Sequence, residues 1–226
     1  FPYTTLFRSR TRDNNFSIGG LIGFDMNERT AGVIGTGQIG KIMCEILRGL
    51  NMRVLAYDPY PSAEWAADKG VEYVNPGQLY QQSDIISLHC PLTTDNYHLI
   101  DRSTIAQMKS GVMIINTGRG KLIRTEDLLE ALRSGKIGAA GLDVYEEETD
   151  FFFEDHSSNI IHDDNLLRLL AYPNVLVTSH QAFFTREAMS NIANITLENV
   201  RRYFEEGKIV NPIPDFDAGT GRFSQD

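Results

Sequence analysis

Residues 30–47 read TAGVIGTGQIGKIMCEIL, and the architecture turns on how that run is parsed. Residues 31–34 are short and mostly apolar, as in a strand covered on both faces. Gly35, Gly37 and Gly40 then fall in the spacing G-x-G-x-x-G at the mouth of a helical pattern. In that spacing Gly35 permits a tight turn and Gly37 lets the backbone approach a pyrophosphate. Gly40 lets the helix pack against the strand. The N–H groups of Gln38 and Ile39 would meet phosphate oxygens at the positive helix end. The spacing alone is weak evidence. Here a strand precedes it, a helix follows, and a second strand, RVLAY, runs into Asp58. A carboxylate at that point accepts hydrogen bonds from adenosine ribose hydroxyls and repels a 2′-phosphate. No Arg follows Asp58 to welcome such a phosphate, so NAD rather than NADP is the expected cofactor.

Outward from this motif, strand-like runs at 31–34, 53–57, 71–74, 85–88, 112–115, 139–143 and 175–178 alternate with amphipathic helical patterns. Such alternation predicts a doubly wound α/β domain of Rossmann type, with a parallel sheet and right-handed crossovers. Thr125 is the expected N-cap of one helix, with Glu126 and Asp127 at its positive end and Gly135 as its stop. Two segments break the rhythm. Residues 146–165, EEETDFFFEDHSSNIIHDDN, form an acidic and aromatic insertion of the length that usually serves a function or a family embellishment. Its three consecutive Phe residues are expected to pack a lid against the body. Residues 184–206 form a long helix with Ala188, Ile192, Ile195 and Val200 on related faces, followed by a Pro-containing tail.

In an open α/β sheet the ligand lies beyond the carboxyl ends of the strands. Arg119, Asp143 and His180 each follow a strand at that edge, and Glu148 lies just past Asp143. Reduction of a 2-oxo acid needs a cation for the carboxylate and a proton donor for the carbonyl oxygen. Arginine suits the first through its planar, permanently charged fork. Histidine suits the second because it titrates near neutrality, and a carboxylate partner keeps more of it protonated. The plainer alternatives stay open on these residues alone. A histidine after a strand is more often structural, and an arginine between glycines is usually solvated.

The formal net charge of −9 argues against nucleic-acid backbones and anionic membranes as partners. Cys44 and Cys90 lie far apart with no C-x-x-C, which reads as two reduced thiols of a cytoplasmic protein. The five histidines show no ligand spacing with them, so no metal site is expected. The string YTTLFRS is what a common sequencing adapter would encode. Residues 1–9 are therefore expected to be foreign to the natural chain.

With Gly35–Gly40, NTGRG (116–120), DVYEEE (143–148) and SHQAFFT (179–185) assembled, the chain resembles the D-isomer-specific 2-hydroxyacid dehydrogenases. The stretches RTRDNNFS, YDPYPS, ISLHCPLT, DNYHLI and HQAFFTREA, with the insertion, bring it close to the branch whose substrate is pyruvate. The resemblance implies that Arg119 binds the substrate carboxylate and carbonyl, that His180 is the acid, and that Glu148 is its partner. It further implies that Gln38, Ile39, Asp58, Cys90, Pro91, Asn96, Thr117, Gly118 and Asp143 hold NAD, with Asp143 facing the nicotinamide carboxamide. Gly118 stands where many members have Ser. Glutamate rather than glutamine at 148 leans away from the formate dehydrogenases of the same fold.

Members of the family carry a long further stretch ahead of the match, which forms most of a flavodoxin-like substrate domain. The expected organisation is a leader at 1–9, an NAD-binding domain at 10–182, and the helix and tail of an incomplete substrate domain at 183–226. The chain alone is then expected to be inactive on pyruvate. A homo-oligomer, dimer or higher, joined through the NAD domain is implied by the same resemblance. Another 2-oxo acid reductase of the family, or an NAD-sensing corepressor-like protein of the same fold, are the competing readings.

Overall fold

The computed structural model describes residues 10–19, 22–147, 161–211, 216–217 and 222–223. The proposed leader, Glu148 and the Phe151–Phe153 run lie outside the described residues. The chain divides into two compact units, residues 1–180 and 181–226.

The first unit is built on a seven-stranded sheet. Its strands are β1 (Thr30–Ile34), β2 (Arg53–Tyr57), β3 (Val71–Tyr73), β4 (Ile85–Leu88), β5 (Val112–Asn116), β6 (Ile137–Leu142) and β7 (Val175–Val177). They lie in the order β3-β2-β1-β4-β5-β6-β7, every pair parallel. The order reverses between β1 and β4, which opens a crevice at their carboxyl ends. The connecting helices are α1 (Gln38–Gly49), α2 (Ala63–Lys69), α3 (Pro76–Gln82), α4 (Arg102–Gln107), α5 (Thr125–Ser134) and α6 (Asp164–Ala171).

Period-two alternation divides the core between the two faces. Ala31 and Val33 of β1 join Val54 and Ala56 of β2 and Cys44 and Leu47 of α1 in one cluster. Ile34, Ile86, Leu88 and Ile114 join Leu79, Leu128, Leu129 and Leu169 in the other. Each fully buried Leu or Ile contributes about 1.5–3 kcal/mol, so the strands are held by covered apolar faces and not by propensity alone. Local signals set the helix ends. Asn75 and Gln78 form a reciprocal capping box at α3, with Pro76 just inside. Gly135 ends α5 in the left-handed conformation, as its position in the sequence predicts.

The expected Thr125 cap differs from what is found. Arg124 occupies the cap position, Thr125 is the first helical residue, and its N–H is met by Glu146 Oε2 at 3.0 Å. A distant carboxylate thus replaces the local hydroxyl. Strand boundaries shift by one or two residues, most at β6, which begins at Ile137. The helix expected at 184–206 runs Arg186–Glu206 (α7), with Thr185 Oγ1 capping Ala188 N. It belongs to the second unit, and none of its residues is buried. A two-residue pair, β8 (Phe216–Asp217) and β9 (Arg222–Phe223), follows it. Among the described residues no helix is long and apolar enough to cross a membrane.

Candidate functional site

The glycine loop sits at the crevice where the strand order reverses. Gly35 has φ +92° and lies so close to the β4 loop that a Cβ there would stand 2.5 Å from the Cys90 nitrogen. A Cβ on Gly40 would be 1.9 Å from the Gly35 oxygen, so only glycine lets α1 start this near β1. A Cβ on Gly37 would meet nothing within 4 Å. Gly37 is also the N-cap of α1, with no side-chain cap, and Gln38 and Ile39 beside it are exposed. An uncapped helix start with open space before it is what a pyrophosphate requires. The residues present therefore fit a dinucleotide.

Asp58 closes the far side of this loop. Its Oδ2 accepts from the Thr36 nitrogen at 2.6 Å and from Thr36 Oγ1 at 3.0 Å, while Oδ1 accepts from the Tyr60 nitrogen at 2.9 Å. Burial pushes its pKa upward, but the Thr36 and Tyr60 N–H groups, the Thr36 hydroxyl and Lys41 outweigh it and hold the carboxyl below its ordinary value. The group is an anion at neutral pH.

The loop after β4 packs directly against Gly35. His89 donates its N–H to Ile34 O at 2.7 Å, and its Nε2 lies 2.9 Å from Ser87 Oγ. Burial lowers the His89 pKa, so the ring is neutral here. Cys90 is half-buried, and burial raises its thiol pKa. Asn96 folds the loop onto itself: its Oδ1 accepts from Thr93 N at 2.7 Å and its Nδ2 donates to Pro91 O at 2.7 Å. Gly118 comes beside Cys90, and a Cβ there would lie 3.5 Å from the Cys90 oxygen. That is ordinary contact, so a Cβ would fit at this position.

Three neighbouring strand ends complete the edge. Asn116, Leu142 and Val177 end β5, β6 and β7, with Asn116 paired to Leu142 and Leu142 to Val177 in the strand register. Asn116 is fully buried. Its Oδ1 accepts from Gly118 N at 3.0 Å, its Nδ2 donates to Arg119 O at 2.9 Å, and its carbonyl accepts from Asp143 N at 2.9 Å. This clamp folds the NTGRG turn and leaves Thr117 and Arg119 exposed. Arg119 Nη1 donates to Gly118 O at 2.8 Å. Gly120 is buried against the β6 exit, where a Cβ would be 1.9 Å from Tyr145 O.

Asp143 is buried and accepts from Thr178 Oγ1 at 2.5 Å. The Asp143 carbonyl accepts from His180 N at 2.7 Å, and His180 takes a left-handed φ of +50°. That conformation is costly for a residue with a Cβ, so the surrounding hydrogen bonds over-determine it. The geometry thus gathers Gly35–Gly40 with Cys90, Asn96 with Cys90 and Pro91, Asp58 with the fingerprint loop, and Asp143 with His180. Sequence reasoning passed over Thr36, Asn116 and Thr178. Asn directly after an apolar strand and two before Gly is a turn signal that points to Asn116. Among the described residues, no cluster of His, Cys, Asp or Glu is arranged to hold a metal ion.

Comparison with known proteins bears on the whole arrangement. The profile described as "D-isomer specific 2-hydroxyacid dehydrogenase, NAD binding domain" matches residues 4–182. The D-lactate dehydrogenase of Escherichia coli is 57% identical over 191 residues, covering 84% of this chain and 58% of that protein. A Haemophilus influenzae protein named 2-hydroxyacid dehydrogenase homolog is 51% identical over 204 residues, 90% of this chain and 61% of that protein. A solved structure titled for the pyruvate reductase of Chlamydomonas reinhardtii superposes with a TM-score of 0.89 at 42% identity, covering 93% of this chain and 64% of that one. The chain therefore spans about three-fifths of the length of the relatives it matches.

Proposed function

The chain belongs to the D-isomer-specific 2-hydroxyacid dehydrogenases and carries their NAD-binding domain, and from that premise we propose that the whole protein reduces pyruvate to D-lactate, as a fermentative D-lactate dehydrogenase. The bound NADH supplies the hydride that the carbonyl carbon receives. Arg119 holds the substrate carboxylate through its planar fork. His180 gives its proton to the carbonyl oxygen as charge builds there, and Glu148 orients the ring and favours its charged form. One observation carries the reading: Arg119, Asp143 and His180 follow the register-matched ends of three adjacent strands beside a fingerprint loop that fits the cofactor. The remaining cofactor contacts are assigned to Gly35, Gly37, Gln38, Ile39, Gly40, Asp58, Cys90, Pro91, Asn96, Thr117, Gly118 and Asp143.

The reading includes a cytoplasmic location, supported by two free thiols. It also includes a homo-oligomer, supported by the exposed apolar row Ile39, Ile42 and Ile46 of α1 with Leu50 just past its end. A second reading, reduction of a different 2-oxo acid, is favoured by the H. influenzae relative, whose name leaves the side chain open. Assay of the complete protein on a 2-oxo acid panel separates the two: pyruvate is expected to give the highest kcat/KM. In the complete protein, His180→Gln is expected to lower turnover by about a hundredfold or more while NADH affinity changes little. Wild-type turnover in that variant would overturn the assignment.

A further inference from the structure

The hydrogen bonds that hold Asp58 extend backward through three more residues, and their direction is fixed. Thr36 Oγ1 lies 3.0 Å from Asp58 Oδ2 and 2.7 Å from the Tyr73 hydroxyl. The Tyr73 oxygen is reached in turn by the Ser62 N–H at 3.3 Å. An ionised carboxylate can only accept. Thr36 has a single hydroxyl proton, and giving it to Asp58 leaves Oγ1 as acceptor for Tyr73. Tyr73 then accepts from Ser62. Every donor points the same way, from Ser62 through Tyr73 and Thr36 to Asp58, and bonds in such a chain polarise one another.

The arrangement also limits what Asp58 can still accept. Its oxygens take the Thr36 N–H, the Thr36 hydroxyl and the Tyr60 N–H. A carboxylate offers about four acceptor positions, so about one is left, on Oδ1. Thr36 is buried and cannot turn its hydroxyl to water. Tyr73 reaches the loop from β3, the edge strand, and its ring is set against Trp65 with centroids 6.5 Å apart.

We propose that Tyr73 and Thr36 are positioning residues for cofactor choice. Through them Asp58 is held as an anion with one acceptor position for one adenosine ribose hydroxyl, so exclusion of a 2′-phosphate depends on the Tyr73 hydroxyl as well as on Asp58. This rests on the reading of Asp58 as the ribose acceptor, and the test keeps the two apart.

The chain is titrated with NADH and with NADPH by nucleotide fluorescence, for wild type, Tyr73→Phe, Thr36→Ala, Thr36→Ser and Asp58→Asn. Tyr73→Phe and Thr36→Ala are each expected to narrow the preference for NADH by about three- to tenfold, the effect of one ordinary intramolecular hydrogen bond. Thr36→Ser keeps the hydroxyl and is expected to keep the preference. Asp58→Asn is expected to abolish it. If Asp58→Asn abolishes the preference while Tyr73→Phe and Thr36→Ala leave the ratio at the wild-type value, the relay is overturned. An equal loss of both cofactors with an unchanged ratio overturns it too, since that is what a purely structural role gives. If Asp58→Asn leaves the ratio intact, the reading of Asp58 itself fails. Should Tyr73→Phe not fold, the Thr36→Ala and Thr36→Ser pair decides.

Discussion

Glu146 uses both carboxylate oxygens to tie separate segments together: Oε1 lies 2.5 Å from His98 Nε2, and Oε2 accepts the Thr125 N–H at 3.0 Å. Burial pushes its pKa upward, but the Thr125 N–H and His98 outweigh it, and the carboxyl sits below its ordinary 4.5. A carboxyl lowered in the folded state stabilises fully above its unfolded pKa and loses that contribution as pH falls through the folded value. Glu146→Gln is thus expected to cost about 1–3 kcal/mol at neutral pH. The gap from wild type should close as pH drops below 4.5. Urea unfolding of both proteins across that range checks this, and a gap independent of pH would contradict it. Neither His98 nor Glu146 could be paired from the sequence, because 48 positions separate them. The positions of Arg119 and His180 just past strand ends were legible from the apolar runs before them. Asn116 carried only the turn signal of an Asn two before Gly, and its three-way clamp shows only once the turn is folded.

At the scale of elements, the sheet was readable because a strand covered on both faces must be nearly all apolar. IISL and VLV leave little other choice once the turns around them are found. Boundaries were less readable, since where a helix starts depends on which group meets its first N–H. At α5 that group comes from 21 residues away. The join of β1 to α1 is one of the tightest local features. Gly40→Ala would drive a Cβ to 1.9 Å from the Gly35 oxygen, which is backbone and cannot rotate away. The expected result is a loss of about 1–3 kcal/mol in thermal or denaturant unfolding, with NADH binding weakened more than stability alone explains. Retention of both would show that α1 can shift without disturbing the loop.

At the scale of the molecule, the exposed row Ile39, Ile42 and Ile46 runs along α1 at helical spacing, and Leu50 continues it just past the helix end. If the proposed oligomer forms through the NAD-binding unit, Ile42→Glu with Ile46→Glu should shift the complete protein toward monomer in sedimentation or light scattering. An unchanged mass would place the interface elsewhere. On the proposed assignments, the residue that meets adenosine and the residue that meets the substrate carboxylate hang on different strands of one sheet. Asp58 follows β2 and Arg119 follows β5, three strand steps apart, with β1 and β4 between them. At about 4.8 Å per step that is roughly 14 Å of fixed separation. On that proposal the sheet is a gauge of ligand length: half a dinucleotide would satisfy either end without bridging both, and only a molecule of the full span would be clamped at each.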